Sequence, residues 1–136
     1  MSREPLISPE TLRSLGIRLG YLFGSRAAGH PSARSDADVA ILLRDGASLQ
    51  DLGRAVADLE ATLRTTFGCP VHVIPLNRAS PLLRFEAIRH GRVLFAEDEA
   101  ERIGFEVRTL KEYEEYCRRQ AFYYRAMLAR LGKVAA

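Results

Sequence analysis

Two short clusters carry the side chains best suited to chemistry. Gly24-Ser25 is followed, after ten intervening residues, by Asp36-Ala37-Asp38, which runs directly into the apolar segment Val39-Ala40-Ile41-Leu42-Leu43. In an extended chain alternate side chains share a face, so Asp36 and Asp38 are expected on one side with Cα atoms roughly 7 Å apart. Two carboxylates so placed suit a hard divalent cation such as Mg²⁺, which takes oxygen ligands and bridges to substrate phosphates. Gly24 at a turn lets the backbone approach a phosphate closely. The Ser25 hydroxyl and neighbouring N–H groups can donate to its oxygens, and Arg26 can add a charge-assisted contact. Taken singly, a Gly-Ser turn and an acid pair before a strand are ordinary turn chemistry. Together, on neighbouring strand ends, they point to a phosphate and metal site. Two acids abutting a doubly covered strand also call for a charge partner.

The elements that must position these residues are legible in the pattern. Ser8-Pro9-Glu10 opens a short helix over about 9–15, stopped near Gly16. Arg18 to Phe23 reads as a strand that ends at Gly24-Ser25, and the Ala, Gly, Pro and Ser content from Arg26 to Ser35 reads as a loop. Asp38 to Leu43 is apolar at every position after the acid, as expected of a central strand covered on both faces, and Asp45-Gly46 closes it. Ser48 caps a run with Leu49, Leu52, Val56, Leu59 and Leu63 on one helical stripe, ending by Gly68. Val71, Val73, Ile74 and Leu76 make a further short strand, Ser80-Pro81 opens a helix that stops at Gly91, and Val93-Leu94-Phe95 suggests an edge strand. From about Asp98 the chain turns helical. Val107, Leu110, Cys117, Ala121, Tyr124, Leu128 and Leu131 fall near a seven-residue repeat.

Composition is compatible with this picture. The chain has 136 residues, 47% of them hydrophobic, and a net charge of +3. That is enough for one ordinary core, and mildly basic without a lysine-rich tail, so a phosphate-bearing ligand is welcome while direct nucleic-acid binding is not demanded. Cys69 and Cys117 have no CxxC or Cys/His ligand spacing, which predicts reduced thiols in a cytoplasmic protein. The first sixteen residues include acids and a proline where a signal peptide needs an unbroken apolar run, and no segment has membrane-spanning length, so neither secretion nor insertion is expected.

The segments Gly24-Ser25-Arg26-Ala27-Ala28-Gly29 and Ser35-Asp36-Ala37-Asp38 resemble the signature of minimal nucleotidyltransferase (MNT) domains of the DNA polymerase β superfamily. The likeness continues through Pro81-Leu82-Leu83, Glu86-Ala87-Ile88, Gly91-Arg92-Val93-Leu94-Phe95 and the helix holding Phe105 and Tyr113, so that residues from about 10 to 125 are covered. The resemblance implies an α/β nucleotidyltransferase fold, a short mixed β-sheet flanked by helices with a long C-terminal helix over about 98–131, in a single domain over residues 1–136. It implies binding of ATP with Mg²⁺, and transfer of AMP to a hydroxyl with release of pyrophosphate. It also implies the role of antitoxin to a HEPN-domain toxin, one of whose tyrosines would be adenylylated. On that reading Asp36 and Asp38 are catalytic metal ligands, with Gly24, Ser25 and Arg26 at the triphosphate. The family usually places a third carboxylate on the later strand, where Val71-His72-Val73 has a histidine. His72 is therefore read either as a replacement base or ligand, which would favour Mn²⁺ over Mg²⁺, or as a polar residue of the sheet. Two other functions remain open: an antitoxin that neutralises by occlusion, and a small-molecule nucleotidyltransferase. His30 and His90 are given no chemical role. The aromatic and leucine content of the last helix predicts a homodimer or toxin interface.

Overall fold

The computed structural model describes residues 7–23 and 37–132. In chain order these form α1 (Pro9–Ser14), β1 (Ile17–Phe23), β2 (Ala37–Leu43), α2 (Leu49–Phe67), β3 (Val71–Pro75), α3 (Pro81–His90), β4 (Arg92–Ala96) and α4 (Glu99–Arg130), with a 3₁₀ turn at Leu76–Arg78. The helix starts follow the sequence signals. Ser8, Ser48 and Ser80 each accept a hydrogen bond from the backbone N–H three residues on, and at α2 the Asp51 carboxylate returns the contact to the Ser48 N–H, completing a capping box. Those Ser48 contacts, the backbone one foremost, hold the Asp51 carboxyl below its usual pKa. Gly68, at φ +68°, closes α2 in the left-handed conformation that glycine adopts freely.

The sheet has the order β3-β2-β1-β4, with β1 antiparallel to both neighbours and β2 parallel to β3. Strand β2 is internal, as its unbroken apolar run requires. One face packs Val39, Ile41, Leu43, Val71 and Val73 against Leu12 of α1 and Leu52, Ala55, Leu59 and Leu63 of α2. The opposite face packs Leu19, Tyr21 and Ala40 against Leu76, Ala87 of α3 and Phe105 of α4. Polar side chains finish the edges. Asn77 accepts from the Leu43 N–H at 2.9 Å and donates to the Leu43 carbonyl at 3.1 Å, extending the sheet's bonding where β2 ends. Glu60 accepts from the Val73 N–H at 3.2 Å on edge strand β3, blunting a row that would otherwise invite pairing.

One expectation is corrected. Leu76 was expected to continue the third strand, but Pro75 ends β3 and Leu76 instead caps the second core from a 3₁₀ turn. On α4 the packed side chains are Phe105 and Thr109, continued by Tyr113 stacked on Phe85 of α3 with ring centroids 3.8 Å apart, while Val107 and Leu110 are 44% and 45% exposed. Phe105 belongs to the core cluster that holds Tyr21 and Ala87, and Thr109 and Tyr113 continue its face of the helix at four-residue steps.

Candidate functional site

The C-terminal end of β1 and the N-terminal ends of β2 and β3 meet at one edge of the sheet. The antiparallel register sets Phe23 beside Asp38, and the parallel register sets Asp38 beside His72. The Ala37 N–H donates to the Pro70 carbonyl at 3.0 Å, locking β2 to the start of β3 one residue earlier. Phe23, Asp38 and His72 therefore form a row on one face, with neighbouring strands about 4.8 Å apart. That face is the one covered by α3 and α4, because Tyr21 and Ala40, two residues along, belong to their core. Asp38 is half-buried and His72 exposed, as befits a row at the open margin of the packed face.

Asp38 and His72 are thus brought together by strand register alone. Gly24, Ser25, Arg26 and Asp36, and also His30, lie outside the described residues. In the chain Gly24 directly follows Phe23 and Asp36 directly precedes Ala37. His90 ends α3, where it pairs with Glu86 one turn back at 3.3 Å, away from this row in sequence and in role.

The donor chemistry of the row fits a divalent cation. A half-open carboxylate is a hard oxygen ligand, and an imidazole is a base or a ligand for softer ions. Among the described residues no cluster of three or more ligating side chains forms.

Behind the row lies a support that the sequence reading did not single out. The buried Tyr21 hydroxyl donates to Glu106 Oε2 at 2.7 Å, and Arg102 Nη1 donates to the same oxygen at 2.8 Å. Burial first, and then the hydrogen bond to Glu106, push the Tyr21 pKa far above its ordinary value. The signal available in the sequence was the Arg102/Glu106 pair one turn apart on α4, opposite a tyrosine in an otherwise apolar strand. On the other face, an apolar cavity of about 70 Å³ lined by Ile7, Leu12, Gly20, Ile41, Leu63 and Phe95, among others, contains none of the candidate side chains.

Comparison with known proteins bears on this arrangement. No curated protein sequence matches the chain. A chain from the crystal structure of a toxin–antitoxin with AMP-PNP is similar at 27% identity and a TM-score of 0.66, covering 87% of this chain and 94% of that one. A chain from the complex of a tri-AMPylated Shewanella oneidensis HEPN toxin with MNT antitoxin is similar at 26% identity and a TM-score of 0.62, covering 87% and 91%. A third, from the toxin–antitoxin MntA–HepT, stands at 26% identity and a TM-score of 0.61, covering 87% and 92%. The family model for polymerase beta nucleotidyltransferases matches residues 9–100, a span that holds β1, β2, β3 and the whole Asp38 row. With the mixed sheet and the strand-end carboxylate it encloses, that match places the chain in the polymerase β nucleotidyltransferase family.

Proposed function

We propose that the chain is the antitoxin of a toxin–antitoxin pair and transfers AMP from ATP to a tyrosine hydroxyl of a HEPN-domain toxin. The observation that carries the reading is the register that sets Asp38 between the end of β1 and His72, directly beside the Gly24-Ser25 and Asp36 positions in the chain. Similar chains come from a toxin–antitoxin with AMP-PNP and from a complex with a tri-AMPylated HEPN toxin.

In this reading Asp36 and Asp38 hold a divalent cation, Mg²⁺ or Mn²⁺, which when bound neutralises charge on the triphosphate. Gly24 and Ser25 receive the phosphates through backbone N–H groups and the hydroxyl, with Arg26 beside them. The acceptor oxygen attacks the α-phosphorus, the bond from that phosphorus to the bridging oxygen breaks, and pyrophosphate leaves with the bonding pair. The hydroxyl proton passes to a base at the row, for which His72 is the candidate because its imidazole is accessible and adjacent to Asp38.

His72 also motivates a second reading. A histidine where a third carboxylate is expected leaves one fewer negative ligand, so the chain would neutralise its partner by occlusion with little turnover.

The test is transfer of labelled AMP from ATP to a purified HEPN-domain toxin. Wild type should label a tyrosine, and Asp38→Asn should label it at least ~100-fold more slowly, since loss of a metal ligand costs at least as much as loss of a ligand's outer partner. Neutralisation without any label would favour occlusion.

A further inference from the structure

Helix α4 is 32 residues long, about 48 Å at 1.5 Å per residue, against a radius of gyration of ~14 Å for a domain of this size. Its first half is packed. Phe105 and Thr109 are buried, Tyr113 stacks on Phe85, and Glu112 pairs with Arg84 of α3 at 3.3 Å. The same stripe then runs on at spacings of three and four through Tyr116, Gln120, Tyr123, Met127 and Leu131, beyond the reach of the ten-residue α3. There Phe122, Tyr123, Tyr124, Met127 and Leu131 are all more than half exposed.

Two features of this overhang specify its occupant. Tyr123, Ala126, Met127 and Arg130 line a groove along the helix. They occupy positions i, i+3, i+4 and i+7, the four corners of the hole that receives a knob from a facing helix. Alanine at one corner deepens the hole. The second feature is charge: from 117 to 132 the helix carries Arg118, Arg119, Arg125 and Arg130 and no acid, and none of the four has an ion pair among the described residues. Arg119 and Arg130 edge the stripe, whereas Arg118 and Arg125 lie on the opposite side of the helix, so two copies laid together here would bring four edge arginines into one seam, which disfavours self-pairing. Methionine and leucine in line with the tyrosines suit side-chain packing better than base stacking, which needs aromatic faces.

We infer that residues 117–131 of α4 seat an α-helix of a partner protein, one whose apolar stripe is flanked by carboxylates. That the partner is the toxin rests on the function proposed above.

The experiment uses the full chain, in wild-type form, as Ala126→Gln, which fills the hole, and with all four arginines changed to glutamate. These positions are exposed, and circular dichroism checks that the helix is retained. Each is titrated with a purified HEPN-domain toxin, with a 20-residue leucine-striped helical peptide flanked by glutamates, with its lysine-flanked counterpart, and with a 20-nucleotide single-stranded RNA. The expected result is that Ala126→Gln weakens toxin and glutamate-peptide binding ~10- to 30-fold, as loss of a central interface contact does. The arginine-to-glutamate variant should switch preference to the lysine-flanked peptide. Equal toxin binding by all three chains overturns the docking surface while leaving the toxin reading intact. A toxin that neither binds wild type nor is labelled by it, beside peptides behaving as described, overturns the toxin reading and keeps the surface. Tighter binding of RNA than of peptide, or a wild-type dimer in sedimentation that Ala126→Gln dissociates, overturns the proposal.

Discussion

Asp38 and His72 divide the chemistry proposed for the strand corner between a hard oxygen donor and a nitrogen base, and substitution at His72 separates the two. A neutral imidazole is a poor ligand for Mg²⁺ and an acceptable one for Mn²⁺. His72→Asp should therefore raise Mg²⁺-dependent AMP transfer, by ~10-fold on the scale of ligand changes at metal sites, while His72→Ala lowers activity with Mn²⁺. Equal rates for the three proteins with both metals would remove His72 from the mechanism. Tyr21 gives a second prediction at this scale. Its hydroxyl is buried and donates to Glu106, and its pKa is raised, burial being the larger cause. Because the folded state keeps this proton at pH values where an unfolded tyrosine (~10) releases it, the stability it contributes is complete below pH ~10 and is lost as pH rises beyond. Tyr21→Phe should cost about 1–2 kcal/mol at neutral pH, since Glu106 keeps Arg102. Its melting temperature should also fall less steeply than that of wild type above pH ~10, and parallel curves would refute the role of this proton.

Among the elements, β1 carries a glycine in its interior whose replacement tests the packing. Gly20 has no positive φ, lines the apolar cavity between the sheet and its helices, and an added Cβ there would meet only the Ala40 carbonyl oxygen at 3.8 Å and Ile41 Cγ2 at 4.0 Å. Gly20→Ala should thus stabilise the domain by about 0.5–1 kcal/mol through lost unfolded-state freedom and added contact, seen as a higher thermal midpoint. A lower midpoint would mean that the cavity is closed to a methyl group. The helix starts were legible because Ser8, Ser48 and Ser80 each precede a periodic run, and a serine there satisfies N–H groups that nothing else can reach. The internal place of β2 was legible because only a strand buried on both faces is apolar at consecutive positions. The row of Phe23, Asp38 and His72 was half legible. Adjacency of the two motifs follows from a strand ending at one and starting at the other, but the pairing of Asp38 with His72 depends on the parallel register of β2 with β3, which no local pattern encodes. The rotation of α4 was not legible for a related reason. Two apolar stripes run along it, and which one is buried is decided by Tyr21, Ala87 and Phe85, distant in sequence.

For the whole molecule, charge is distributed unevenly along α4: acids concentrate in its packed first half, and arginines alone follow after residue 117. The corner proposed for catalysis is built by strand ends, whereas the overhanging part of α4 lies outside the span of the family match, so the proposed nucleotide chemistry and the proposed partner docking fall on separate parts of the chain. No helix among the described residues is long and apolar enough to cross a membrane. All of this depends on a nucleotide sitting where β1 ends and β2 begins. The direct measurement is calorimetric titration of ATP with Mg²⁺ into wild type and into the Asp36→Asn, Asp38→Asn double variant, both shown to be folded by thermal melting. Wild type should give saturable heat that disappears when Mg²⁺ is withheld, and the variant should give little at any concentration. Equal binding by the two proteins would contradict the placement of the nucleotide at this corner.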